Sequence, residues 1–128
     1  MREIKFRVWD NVDYMSTPFT LKDLQLKKVQ FTSKCKVMQS TGLKDKKRKT
    51  IYEGDIIETK FYPAWVERIS WKGKPDAICE VYWDYTGFGL KARGDEDFRY
   101  PGLYEINLDH TKIIGNIYET PTLLNTQP

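Results

Sequence analysis

The sequence holds few of the side chains that make chemical sites. It has one histidine, His110, and two cysteines, Cys35 and Cys79, in 128 residues. One histidine without companions cannot build a zinc shell. The cysteines stand 44 positions apart in segments that read as strands, with no Cys-x-x-Cys spacing, which removes thiol redox motifs and thiolate metal cages. They are expected as small buried apolar residues in a reducing compartment. A bridge between neighbouring strands stays open, because spacing alone does not give the Cα separation that a disulfide needs.

No run of about 18 apolar residues occurs, which excludes a spanning helix. The opening Met1-Arg2-Glu3-Ile4-Lys5-Phe6-Arg7-Val8-Trp9 alternates charge and hydrophobe and has no signal-peptide h-region. The eight glycines are scattered as turn residues rather than gathered into a phosphate cradle. No nucleophile stands beside an activating base. The expectation is a non-enzymatic protein without metal, cofactor or membrane contact.

What is present is aromatic and charged. Eighteen aromatics (4 Trp, 8 Tyr, 6 Phe) give a hydrophilic chain enough apolar surface for one continuous core. We expect a single domain over 1–124 with a loose tail at 125–128. The net charge of +3 conceals a split: residues 1–75 carry 17 Lys/Arg against 9 Asp/Glu, and residues 76–128 carry 4 against 9. The first part is therefore +8 and the second −5, which suits either a polyanion-binding face or two mutually attracting halves.

Period-2 patterning dominates. Ile4, Phe6 and Val8 alternate with Lys5, Arg7 and Trp9, predicting an edge-tolerant strand with one face on the core and one toward water. Asp10 to Asp13 reads as a turn. Thr20-Leu21-Lys22-Asp23 reads as a helix start with a hydroxyl cap and a carboxylate three residues on, followed by one or two helical turns. Further strands are predicted at Cys35–Gln39, Ile56–Phe61, Trp65–Trp71, Ala77–Tyr85, Phe88–Ala92, Tyr104–Leu108 and Lys112–Glu119. Thr41-Gly42 is read as a strand break, Gly54 as a turn glycine with positive φ, and Gly115 as a bulge or close-packing point. Seven or eight short strands with one short helix make this a mainly β chain. The expected architecture is a small closed or partly open barrel-like domain, ahead of two packed sheets.

Lys44, Lys46, Lys47, Arg48 and Lys49, with only Asp45 among them, form a basic loop of net +4. These five residues are the candidate nucleic-acid contacts. Lys34 and Lys36 would add to them if adjacent, and Tyr52, Phe61 or Trp65 could stack on bases. The plainer reading is a solvated loop that keeps the chain soluble. Trp65, Trp71, Tyr82, Trp83, Tyr85 and Phe88 could form a stacking or protein-binding patch, but most are expected in the core. Asp109-His110 is expected as a turn without catalytic or ligand role. Glu53, Asp55 and Asp95-Glu96-Asp97 are expected as exposed turn chemistry, lacking the spacing of a calcium loop.

Three blocks carry a resemblance. They are Arg2 to Asp10, Thr41-Gly42-Leu43-Lys44-Asp45 through Ile51-Tyr52-Glu53-Gly54-Asp55-Ile56, and Ile113-Ile114-Gly115-Asn116-Ile117-Tyr118-Glu119. In this order the chain resembles the YopX family of small proteins encoded by bacteriophages and prophages of Gram-positive bacteria. The resemblance implies a mostly β accessory protein of phage origin in the cytoplasm of a bacterial host, and it implies no established activity. Relatives commonly place Asn-Gly after Lys-Asp-Lys, where this chain has Lys47-Arg48, and an aromatic where it has Ser40. That departure removes the signal for a tight primed hairpin and makes the loop more basic. The partner stays open between nucleic acid, a host or phage protein, and a second copy of the chain.

Overall fold

The computed structural model describes residues 4–27, 34–59, 77–84, 87–92, 99–100 and 108–125. Nine strands and one helix are found among them: β1 (Lys5–Trp9), β2 (Phe19–Thr20), α1 (Leu21–Gln25), β3 (Lys36–Lys44), β4 (Thr50–Tyr52), β5 (Asp55–Thr59), β6 (Ala77–Asp84), β7 (Gly87–Ala92), β8 (Arg99–Tyr100) and β9 (Lys112–Asn116). Short 3-10 turns lie at Leu108–His110 and Pro121–Leu124. The expected strand at Trp65–Trp71 and the carboxylates Asp95 to Asp97 fall outside the described residues.

The mainly β reading holds, with antiparallel pairing throughout. Closure does not: among the described residues the strands form two open sheets, in the orders β2-β1-β3-β4 and β8-β7-β6-β5-β9. The reason is local. β4 and β5 are consecutive but do not pair as a hairpin; Glu53-Gly54 between them passes the chain from one sheet to the other. Gly54 takes φ +87, as expected of that position, and the Glu53-Gly54 backbone ties both sheets together. Glu53 N donates to Gln39 O in the first sheet, while Gly54 N donates to Val81 O in the second and Gly54 O accepts from Ile117 N, just past β9.

β1 is an inner strand rather than an edge, and both of its faces are used. Val8 is buried on one face, and Trp9 on the face assigned to water is buried as well, its ring stacked 5.9 Å from Tyr118. The second sheet holds the deepest core: Ile56, Ile57, Cys79, Val81 and Leu90 are fully buried. Burial pushes the Cys79 thiol up to about 12, so it stays protonated and inert. Cys35 is half-buried just before β3, and the two cysteines are not bridged.

Thr20 caps α1 as predicted: its side chain accepts from Asp23 N, and the Asp23 carboxylate accepts from Thr20 N. The helix is five residues long. Asp10 closes its turn by accepting from the backbone of Val12, Asp13 and Tyr14. Gly115 serves both expected purposes. The β5–β9 register shifts between Ile56↔Gly115 and Ile57↔Ile113. A Cβ on Gly115 would collide with Thr120 Oγ1 and lie 2.8 Å from Leu123 Cδ1, so the 3-10 turn packs directly on the strand backbone.

The predicted break at Thr41-Gly42 is absent. β3 runs through it to Lys44, because Gly42 at φ +82 sits in a register shift between Ser40 and Lys44 that the sheet absorbs as a bulge.

Candidate nucleic-acid interface and the sheet junction

The loop from Lys44 to Lys49 joins β3 to β4, with Lys44 paired to Thr50. Arg48 N donates to Asp45 O at 2.9 Å and Asp45 N donates to Lys49 O at 2.9 Å. This pattern is a three-residue hairpin loop whose last residue takes the left-handed conformation, here Arg48 at φ 65. A hairpin therefore forms without Asn-Gly, but with a side chain where glycine is the unstrained choice.

Asp45, the loop's one anion, pairs by hydrogen bond with none of the loop's cationic groups. It is 4 % exposed and its carboxylate is spent on backbone. Oδ1 accepts from Lys47 N and Lys49 N, and Oδ2 accepts from Ile113 N of β9. Lys46 N donates to Thr111 O, completing the seam between loop and second sheet. Lys44, Lys46, Lys47, Arg48 and Lys49 are all exposed. The sequence-predicted cations are thus brought together on a braced hairpin. Burial raises the Asp45 carboxyl, but the hydrogen bonds from Ile113, Lys49 and Lys47 and the Lys49 charge outweigh it, leaving the group below its ordinary 3.8. A depressed carboxyl contributes stability above its unfolded value and loses it as pH falls through the folded one. Asp45→Asn, which sets an amide donor against Ile113 N–H, is expected to cost about 1–3 kcal/mol at neutral pH. Thermal unfolding of both proteins should show that gap closing as pH falls below the ordinary 3.8.

The other expected contributors are elsewhere. Lys36 lies at the far end of nine-residue β3, roughly 26 Å from Lys44 at strand rise, and Lys34 precedes it. Tyr52 is 5 % exposed and cannot stack on a base. Phe61 and Trp65 fall outside the described residues. Trp83, one of six aromatics of which most are expected in the core, is 54 % exposed. His110 ends an exposed 3-10 turn, and among the described residues no three His, Cys, Asp or Glu side chains gather as a metal site.

A second constellation was not legible in the sequence. Arg7 Nη2 donates to Asp55 Oδ1 at 2.6 Å, with the two side chains 13 % and 1 % exposed. Asp55 Oδ2 accepts from Tyr52 N, and the guanidinium lies 4.7 Å above the Tyr52 ring. Asp55 was expected in an exposed turn; it is buried because the Glu53-Gly54 crossing directs it between the sheets. Burial pushes its carboxyl up, while Arg7 and the Tyr52 N–H pull it back. Burial also raises the Tyr52 hydroxyl. Among the described residues, Tyr52 Oη and Arg7 Nε are buried without a hydrogen-bond partner. The signal that could have found this pair was Trp9, too large and apolar for a solvent face, which marks Arg7 two residues earlier as inward-facing too.

A family model described as YopX protein matches residues 11–125. The chain belongs to the YopX family. Among solved structures, this YopX-family chain is similar to protein EF1440 from Enterococcus faecalis, at 22 % identity and a TM-score of 0.55, over 95 % of this chain and 98 % of that one. Protein yopX from Bacillus subtilis matches at 16 % identity and a TM-score of 0.48, over 93 % of this chain and 96 % of that one. No curated protein matches it significantly. The central block of the family resemblance, Thr41–Asp45 through Ile51–Ile56, is the one that builds the braced hairpin and the sheet crossing.

Proposed function

We propose that this YopX-family chain is a non-enzymatic accessory protein that binds nucleic acid through the Lys44–Lys49 hairpin. The observation that carries the reading is the inward turn of Asp45 onto backbone N–H groups, which leaves five exposed cations on a hairpin of net +4. Charge segregation supports it. Described residues 4–27 and 34–54, the first sheet and its connections, hold 11 Lys/Arg against 5 Asp/Glu, or +6; the other described residues hold 3 against 6, or −3. One part of the molecule attracts phosphate while the other repels it. The strained Arg48 supports it too, because a purely solubilising loop gains nothing from a cation at the left-handed position. The family resemblance supports a phage or prophage origin and work in the host cytoplasm. Among the described residues no helix is long and apolar enough to cross a membrane.

Arg48→Gly separates folding from binding. Relieving the left-handed arginine is expected to stabilise the chain by about 0.5–1 kcal/mol in denaturant unfolding. The same change should lower the salt dependence of DNA binding by about one phosphate contact. A variant that is stabilised and binds as before would remove Arg48 from the interface.

A second reading, contact with a host or phage protein or another copy of the chain, is favoured by exposed apolar side chains: Ile4, Val12, Tyr14, Leu21, Leu26 and Val37 are each at least 44 % exposed. Retention on heparin and fluorescence anisotropy with short DNA at two salt concentrations test the first reading. Light scattering for mass tests self-association. A monomer that ignores DNA and RNA at low salt leaves only a heterologous protein partner.

A further inference from the structure

β6 and β7 form a hairpin whose outer end carries aromatics on both faces. Trp83 pairs with Phe88 across the strands, and Tyr82 pairs with Gly89. On one face the Trp83 and Phe88 rings meet edge-on, with centroids 4.8 Å apart and planes at 70°. On the other, Tyr82 lies across Gly89, where a Cβ would come 2.9 Å from its ring, and Lys91 Nζ sits 4.9 Å from the ring centroid.

Trp83 is the anomaly. By alternation it shares a face with Cys79 and Val81, both fully buried, yet it is 54 % exposed. The strand carries the indole past the layer that covers its neighbours. An edge-on contact can occupy only one face of the indole, so the Phe88 ring fixes the side chain while a flat surface stays open. A large aromatic braced by one ring contact and left in water suits a stacking residue.

Position links it to the basic hairpin. The loop is fastened to β9 through Ile113 and Thr111. Ile113 is level with Ile57 and Cys79, and the Thr111 hydroxyl meets Thr59, which is level with Ala77. Trp83 is therefore four to six residues further along β6 and two strands inward, roughly 20 Å away at strand rise and spacing. That separation lies within a strand-binding site of about 4–16 nucleotides, but the indole can meet a base only where the base is unpaired.

We infer that the ligand is single-stranded nucleic acid, held by phosphates at Lys44–Lys49 and by a base stacked on Trp83. This rests on the proposed function of the loop and adds its substrate class. The test is fluorescence anisotropy with labelled dT12, U12 and a 12-bp DNA duplex, using the full chain, Trp83→Ala, Trp83→Phe and Lys47→Glu/Arg48→Glu. Trp83→Ala should weaken dT12 or U12 binding roughly tenfold or more, within the range of about 5- to 150-fold for one stacked base, while its salt slope and duplex affinity stay put. Trp83→Phe should recover most of the loss, and the dT12 and U12 arms show whether a DNA or an RNA strand is preferred. Loss of binding in the charge variant with none in Trp83→Ala overturns this inference and leaves the loop reading standing. No effect of either variant overturns both. A Trp83→Ala protein that changes mass in light scattering but not affinity for dT12 or U12 makes the indole a protein contact and overturns it too.

Discussion

Replacing Arg7 by methionine is expected to lower the free energy of unfolding by about 3–5 kcal/mol, a large share of what a domain of this size possesses. The guanidinium projects from β1 in the first sheet to a carboxylate at the start of β5 in the second, with Asp55 1 % and Arg7 13 % exposed. Without it, Asp55 keeps one backbone donor, Tyr52 N, and no countercharge. The Tyr52 ring also loses the cation lying 4.7 Å from its centroid. Asp55→Leu alone should cost a similar amount, because it strands a buried cation. The double variant Arg7→Met/Asp55→Leu should regain much of either loss, since a well-packed apolar pair avoids the desolvation that the ion pair must overcome. Denaturant unfolding of the four proteins closes the cycle. Single losses under 1 kcal/mol, or losses that simply add, would show that this pair does not join the sheets.

The second large effect concerns binding. Lys47→Glu with Arg48→Glu changes the loop charge by four while leaving Asp45 and its backbone bonds in place. Affinity for DNA at about 0.1 M salt should fall by roughly two orders of magnitude, by loss of two phosphate contacts and gain of two repulsions. The loss should be alike for every sequence tested, because phosphate contacts carry no base information. Both positions are exposed, so unfolding should move little. Unaltered binding by a folded variant would take the loop out of the interface.

Local signals in the sequence translated well where one element decides the outcome. The Thr20–Asp23 capping box, the Asp10 turn, the positive φ of Gly54 and the close packing at Gly115 each depend on residues within a few positions. The failures share a different cause. Gly42 looked like a terminator because glycine marks both breaks and bulges, and only the partner strand distinguishes them. Asp55 looked exposed because its partner Arg7 is 48 positions away. The preference for full closure failed at Glu53-Gly54, whose composition suits a hairpin turn as well as a crossing between sheets. In the candidate interface the cations were legible, and the role of Asp45 was not: an acid in a basic run reads as charge balance until Ile113, 68 positions on, supplies the donor that buries it. The exposure of Trp83 was not legible, because alternation gives the face of a strand but not how far along it the covering layer extends.

In our proposal the exposed cations of the β3–β4 hairpin are the working surface of this YopX-family protein. Titrating the unmodified chain with labelled DNA from 50 to 200 mM salt tests it most directly, since each neutralised phosphate releases counterion. Four or five contacts predict a log–log slope of about −3 to −4.5. Absence of binding at the lowest salt, or affinity indifferent to salt, would contradict it.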